Sequence, residues 1–160
     1  MTLKPLHIVI ITLLLPLAAC NAKSNPSTTS PVTTKTAEPI PQAGGYSNID
    51  YDNLSDLIAK GVTVVDIRRK DEWEHTGIIK GSKTITFFDR TGRINPNFLP
   101  EFTALVKPDQ PVALICRTGN RTKVASQAIA QQLGYKKVMN VTHGITGWIA
   151  EKRPVVKYNK

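Results

Sequence analysis

The chain has 160 residues, 41% of them hydrophobic, with 21 Lys or Arg against 12 Asp or Glu and a formal net charge of +9. Its two cysteines, Cys20 and Cys116, exclude a multi-disulfide scaffold, and no clustered Cys/His spacing suits a bound metal. The basic balance suits small anions or anionic lipid, whereas the aromatic-rich or basic-helix patterns of a nucleic-acid binder are missing.

Residues 1–19 read as a targeting segment. Lys4 precedes a mostly apolar run of 12 residues, Leu6 to Leu17. A spanning helix needs about 20 apolar residues, so this run has the length of a signal h-region. It ends in Leu17-Ala18-Ala19-Cys20, which resembles a bacterial lipoprotein signal. That resemblance implies lipidation of Cys20, a membrane anchor through its acyl chains and a place in the bacterial cell envelope, facing the periplasm. The alternative is a plain secretory signal cleaved at the nearby small residues. Asn21, where an Asp would favour retention at the inner membrane, points to the outer membrane over the inner.

Residues 20–45 read as the lipidated cysteine followed by a linker. Of the 25 residues from Asn21 to Gly45, 12 are Ser, Thr or Pro, with no apolar periodicity to bury. A flexible coil of that length reaches about 25–30 Å. With Cys20 carrying lipid, the mature chain keeps one thiol, Cys116. Any disulfide exchange must then use an external thiol.

Residues 46–160 are enough for one folded domain. Asp52 to Lys60 predicts a helix that stops at Gly61, and Val62 to Asp66 predicts a buried strand. Helices follow over Asp71 to His75 and Pro96 to Val106. A second strand is expected over Val112 to Cys116, then a helix over Asn120 to Leu133 that ends at Gly134. Val124, Ala125, Ala128, Ile129 and Leu133 form its apolar face. Lys137 to Val141 predicts a third strand and Ile145 to Lys152 a last helix. The alternation implies an α/β domain with a mainly parallel central sheet flanked by helices. Sites in such sheets lie at the carboxyl ends of strands, where Asp66 and Cys116 both sit. The domain carries 18 Lys or Arg against 11 Asp or Glu, with Arg117, Arg121 and Lys123 placed to attract an anion near Cys116.

Cys116-Arg117-Thr118-Gly119-Asn120-Arg121 places a thiol where a buried strand meets a helix N-terminus. Unpaired N–H groups and the helix dipole make that turn a cradle for an anion, including a thiolate. The run resembles the active-site loop of the rhodanese (sulfurtransferase) family: Cys, four residues including a glycine, then Arg. The resemblance extends to Asp66-Ile67-Arg68, to the stretch Asp71 to Ser82 and to the closing segment Val141 to Trp148. It departs at Gly77-Ile78-Ile79, where many members have Gly-His-Ile, and at His143-Gly144, where a Gly-Gly pair is common.

The resemblance implies a rhodanese-like fold and a cofactor-free sulfurtransferase. Cys116 would be the catalytic nucleophile, attacking a small anionic sulfur donor such as thiosulfate. The resulting persulfide would pass its outer sulfur to a thiol or cyanide acceptor. Backbone N–H groups from Arg117 to Arg121 would hold the sulfur anion, Gly119 would permit the tight turn and Thr118 would offer a hydroxyl. Arg121 would either bind the donor or pair with a carboxylate. Asp66 and Arg68 would be a structural and rim pair with an orienting role. Trp73, Trp148, Phe87 and Phe88 read as core or pocket wall, and His75 and His143 as surface or turn residues. The alternatives are a non-catalytic rhodanese-like binding or sulfur-carrier module, and a cysteine phosphatase or arsenate reductase, whose loop typically has five residues between Cys and Arg.

Overall fold

The computed structural model describes residues 37–159. The signal-peptide and lipidation readings, including Cys20, fall outside them.

Short β-branched runs form the centre of a six-stranded sheet. In chain order the elements are β1 (Ile40–Pro41), β2 (Ser47–Ile49), α1 (Tyr51–Ala59), β3 (Thr63–Asp66), α2 (Lys70–Thr76), β4 (Lys83–Thr84), α3 (Phe98–Leu105), β5 (Val112–Ile115), α4 (Asn120–Leu133), β6 (Val138–Val141) and α5 (Gly144–Ala150). The sheet order is β1-β2-β6-β5-β3-β4. All pairs are parallel except β1–β2.

The alternation of side chains along each strand sorts the core into two layers. Val65, Leu114 and Val138 point to one face, which Phe98, Phe102, Ala125 and Ile129 of α3 and α4 cover. Val64, Ala113, Ile115, Met139 and Val141 point to the other, under Tyr51 and Leu54 of α1 and Ile145 and Trp148 of α5. Cys116 follows β5 in register with Leu114, so its side chain lies on the α4 face, fully buried.

Most predicted elements shift by one or two residues at an end, and the larger departures lie at the N-terminal edge and in the short strands. Ile40–Pro41 pairs with Ser47–Ile49, so the sheet begins inside the segment read as linker. β1, β2 and β4 have only two or three residues each, too few for a hydrophobic alternation to register. α1 starts at Tyr51 because Asp50 caps it: the Asn53 N–H donates to Asp50 Oδ1 at 2.8 Å, and the Asp50 N–H donates to Asn53 Oδ1 at 3.4 Å.

The turn from β3 into α2 is built on a buried ion pair. Arg68 Nη2 lies 2.7 Å from Asp66 Oδ2, with both side chains 1% exposed. Its Nε–H also donates to both Asp66 oxygens at 2.9 and 3.0 Å. The remaining donors go to α2, reaching the Glu72 carbonyl (3.3 Å), Thr76 Oγ1 (2.6 Å) and the Gly77 carbonyl (2.8 Å). Arg68 is thus a buried fastener rather than a rim residue. Removing one partner of such a pair strands the other charge. Asp66→Asn is expected to cost about 3–5 kcal/mol in urea unfolding, whereas the double change Asp66→Leu, Arg68→Met should cost clearly less.

Candidate active site

Cys116 stands at the carboxyl end of β5, beside the end of β3, where Ile115 is paired with Asp66. The chain then turns through Arg117, Thr118 and Gly119 into α4. Gly119 is the N-cap of α4, with φ 91°. That left-handed geometry suits glycine, and a Cβ built there would lie 1.8 Å from the Thr142 carbonyl oxygen. The Gly119 N–H donates to Cys116 Sγ at 3.2 Å. Among the described residues, no protein acceptor takes the N–H groups of Arg117, Thr118, Asn120, Arg121 or Thr122. The loop therefore joins one N–H bond to sulfur with a set of free donors at a helix N-terminus, a site for an anion.

The carbonyls of the same loop are turned onto α5. The Ile145 N–H donates to the Cys116 carbonyl at 2.8 Å, and the Thr146 N–H to the Arg117 carbonyl at 3.1 Å. Gly144 makes this approach possible, because a Cβ there would lie 2.5 Å from both carbonyl oxygens. The Tyr51 hydroxyl donates to the Gly144 carbonyl at 2.8 Å and holds the turn from below. Burial, together with the charge of Glu151, pushes the Tyr51 phenol up to about 12, so it remains a donor across the neutral range.

The hydroxyl beside the sulfur belongs to Thr122. Its Oγ1 is 3.4 Å from Cys116 Sγ and also donates to the Gly119 carbonyl at 2.9 Å. Thr122 is fully buried, whereas Thr118, the residue expected to supply that hydroxyl, is exposed. Helix geometry explains the difference. Thr122 lies three residues into α4 from Gly119 and so points back over the loop, while Thr118 lies on its outer side.

Arg121 is committed to a carboxylate. Its Nη1 and Nη2 donate to Glu72 Oε2 and Oε1 at 2.7 and 2.6 Å, a bidentate pair that joins α4 to α2. Glu72 also accepts the Arg69 N–H at 3.1 Å. Burial pushes the Glu72 carboxyl up, but Arg121 and the Arg69 N–H outweigh it and hold the group below its ordinary range. Hydrogen bonding to Glu72 in turn raises Arg121, with smaller contributions from Cys116 and Asp66. Glu72 and Thr122 were not singled out from the sequence. A glutamate in a helix's first turn reads as a capping residue, and a single sequence carries no sign of a partner 49 residues away.

Arg117 and Asn120 are exposed, and Arg117 lines a cleft of about 670 Å³ between α2 and α5. His75, read as a surface residue, lines the same cleft, and His143 is the exposed N-cap of α5. Trp73, Trp148 and Phe87 are core residues, and Phe88 is packed against the core. Among the described residues no group of His, Cys, Asp or Glu is arranged to hold a metal ion, and no helix is long and apolar enough to cross a membrane.

A family model described as "Rhodanese-like domain" matches residues 50–151. Thiosulfate sulfurtransferase 18 of Arabidopsis thaliana is 29% identical over 114 residues, covering 68% of this chain and 82% of that protein. A sulfurtransferase of Allochromatium vinosum is 29% identical over 112 residues, covering 69% of this chain and 94% of that one. Among solved structures, a rhodanese-related protein of Thermoplasma volcanium superposes with a TM-score of 0.55 at 32% identity, over 69% of this chain and 98% of that chain.

The Glu72–Arg121 pair sets a pH dependence. A carboxyl held low in the folded state stabilises the fold above its unfolded value and loses that contribution as pH falls through its folded value. Glu72→Gln should therefore lower stability by about 1–2 kcal/mol at neutral pH. The gap from wild type should close on acidification below about pH 4, as read by urea unfolding across pH.

Proposed function

We infer that this chain, which belongs to the rhodanese-like domain family, is a sulfurtransferase that carries sulfane sulfur on Cys116. The carrying observation is the arrangement at the loop: the Gly119 N–H bond to Sγ, with five further loop and helix N–H groups lacking a protein acceptor among the described residues. Donors fixed in advance around a developing anion act most strongly where water is excluded, and Cys116 is fully buried.

In the first half-reaction the Cys116 thiolate attacks the outer sulfur of a donor such as thiosulfate. The S–S bond of the donor breaks, and sulfite departs with the electron pair. Cys116 then holds a persulfide whose outer sulfur reaches into the loop. In the second half-reaction a nucleophile, a thiol or cyanide, takes that sulfur and returns Cys116 to its thiolate. Thr122 can serve both states. Its hydroxyl donates to the Gly119 carbonyl beside a neutral thiol and can turn to the sulfur when that becomes an anion. Arg121 shapes the loop, since both of its terminal nitrogens are engaged by Glu72.

Purified full-length chain treated with thiosulfate should gain the mass of one sulfur, and cyanide should discharge it as thiocyanate. Cys116→Ser should show neither step, and Thr122→Val should slow transfer by about tenfold while retaining the adduct. Absence of any adduct with thiosulfate or polysulfide would defeat the assignment.

We further propose that the chain is tethered at the bacterial cell envelope, facing the periplasm, by lipid on Cys20. The support is the Leu17-Ala18-Ala19-Cys20 sequence after a 12-residue apolar run. Acyl chains on one cysteine meet the two-signal requirement for stable anchoring. Cys20→Ala should abolish labelling by a fatty-acid analogue and release the chain from the membrane fraction. Retention of both would defeat the tether.

A further inference from the structure

The cleft between α2 and α5 is larger than the sulfur chemistry alone requires. At about 670 Å³ it has the size of a site for an organic molecule, not of one for cyanide or thiosulfate. It adjoins the sulfur loop, because the N–H groups of Ile145 and Thr146 in its wall bond the Cys116 and Arg117 carbonyls. One side is apolar, formed by Ile149, which is 38% exposed, over the buried Ile145. The other side, on α2, is charged but internally matched. Asp71 accepts from Arg69 at 3.2 and 3.3 Å, and Glu72 is held by Arg121. Arg68, at the back, is matched by Asp66. This leaves Arg117 as the one arginine of the cleft without an ion-pair or side-chain hydrogen-bond partner among the described residues.

We propose that this cleft is the acceptor subsite, and that it takes a small organic thiol bearing a carboxylate. Arg117 holds the carboxylate, and the carbon skeleton lies against Ile149. The inference rests on the sulfurtransferase reading and narrows its acceptor. The acceptor thiolate attacks the outer sulfur of the Cys116 persulfide. The bond from that sulfur to Sγ breaks, and its electron pair stays on Cys116 as the thiolate. The outer sulfur leaves on the acceptor as a new persulfide, in the same protonation state that it had on Cys116. No external oxidant or reductant is consumed.

The test separates donor from acceptor. Full-length chain is loaded with thiosulfate, desalted, and mixed with mercaptoacetate, mercaptoethanol or cysteamine, which are similar in size but anionic, neutral and cationic. Loss of the persulfide is followed by mass, and second-order rate constants are compared per thiolate, the attacking form, each divided by the same thiolate's rate with a small uncharged disulfide so that intrinsic nucleophilicity cancels. Mercaptoacetate should exceed mercaptoethanol by about fivefold, as one partly screened ion pair allows, and cysteamine should be slowest. Arg117→Met should erase that ranking within the variant, Ile149→Asp should reverse it, and added salt should compress it. Equal constants for the three thiols, from a persulfide that cyanide still discharges, would overturn the subsite and leave the sulfurtransferase assignment standing. A ranking that survives Arg117→Met would likewise overturn the anchor. Failure to form a persulfide at all would remove both.

Discussion

The site depends on one close approach, that of the turn between β6 and α5 to the loop that follows Cys116. Two glycines allow it. A Cβ on Gly119 would meet the Thr142 carbonyl oxygen, and one on Gly144 would meet the carbonyls of Cys116 and Arg117. With that space open, the first N–H groups of α5 bind those two carbonyls. An amide whose carbonyl is fixed outward has its plane fixed too. Among the described residues the N–H groups of the loop find no backbone partner, and that of Gly119 turns to the buried sulfur. The anion cradle is thus a consequence of where the loop's carbonyls are anchored.

Three arginines near this loop show how environment divides roles among identical side chains. Arg68, buried with Asp66, spends its hydrogen bonds on the β3–α2 turn and the far end of α2. Arg121, partly buried, is held by Glu72, so α4 and α2 are fixed to each other across the loop. Arg117 is exposed, lines the cleft and has no carboxylate partner among the described residues. Arg68 and Arg121 therefore build the frame, and of these three only Arg117 is without an ion-pair partner among the described residues. A Lys in place of Arg68 or Arg121 would keep the charge but lose the planar, multi-donor geometry that both positions use.

The parts of the fold carried by local pattern were legible in the sequence. β3, β5 and β6 are short apolar runs, and α4 spans Asn120–Leu133 and stops at Gly134 as expected, but Val124 of its expected apolar face is 54% exposed while Thr122 and Ser126 are buried. Strands of two or three residues were not, because β1, β2 and β4 exist through pairing with neighbours rather than through any alternation of their own. The same division applies at the site. The turn that places Cys116 at a helix N-terminus is local, and Gly119 announces it. The pairing of Arg121 with Glu72 joins residues 49 apart, so the sequence left two roles for Arg121 open. Thr122 was within reach of local reasoning: a residue three positions past the N-cap faces back over the loop.

The length of the loop bears on what it can hold. With four residues between Cys116 and Arg121, the donor closest to the sulfur is the Gly119 N–H, at 3.2 Å, and the Thr122 hydroxyl completes the near contacts at 3.4 Å. Both converge on the position of a single atom. A tetrahedral oxyanion needs donors spread over several oxygens and a guanidinium turned toward them, yet Arg121 faces Glu72 instead. A persulfide adds only one sulfur beyond Sγ, with its charge at the end of a short rod. Among the described residues, the N–H groups at the start of α4 have no protein acceptor and are open to such an anion. The Glu72–Arg121 pair holds α2 and α4 together beside that loop and fixes the plane of the guanidinium.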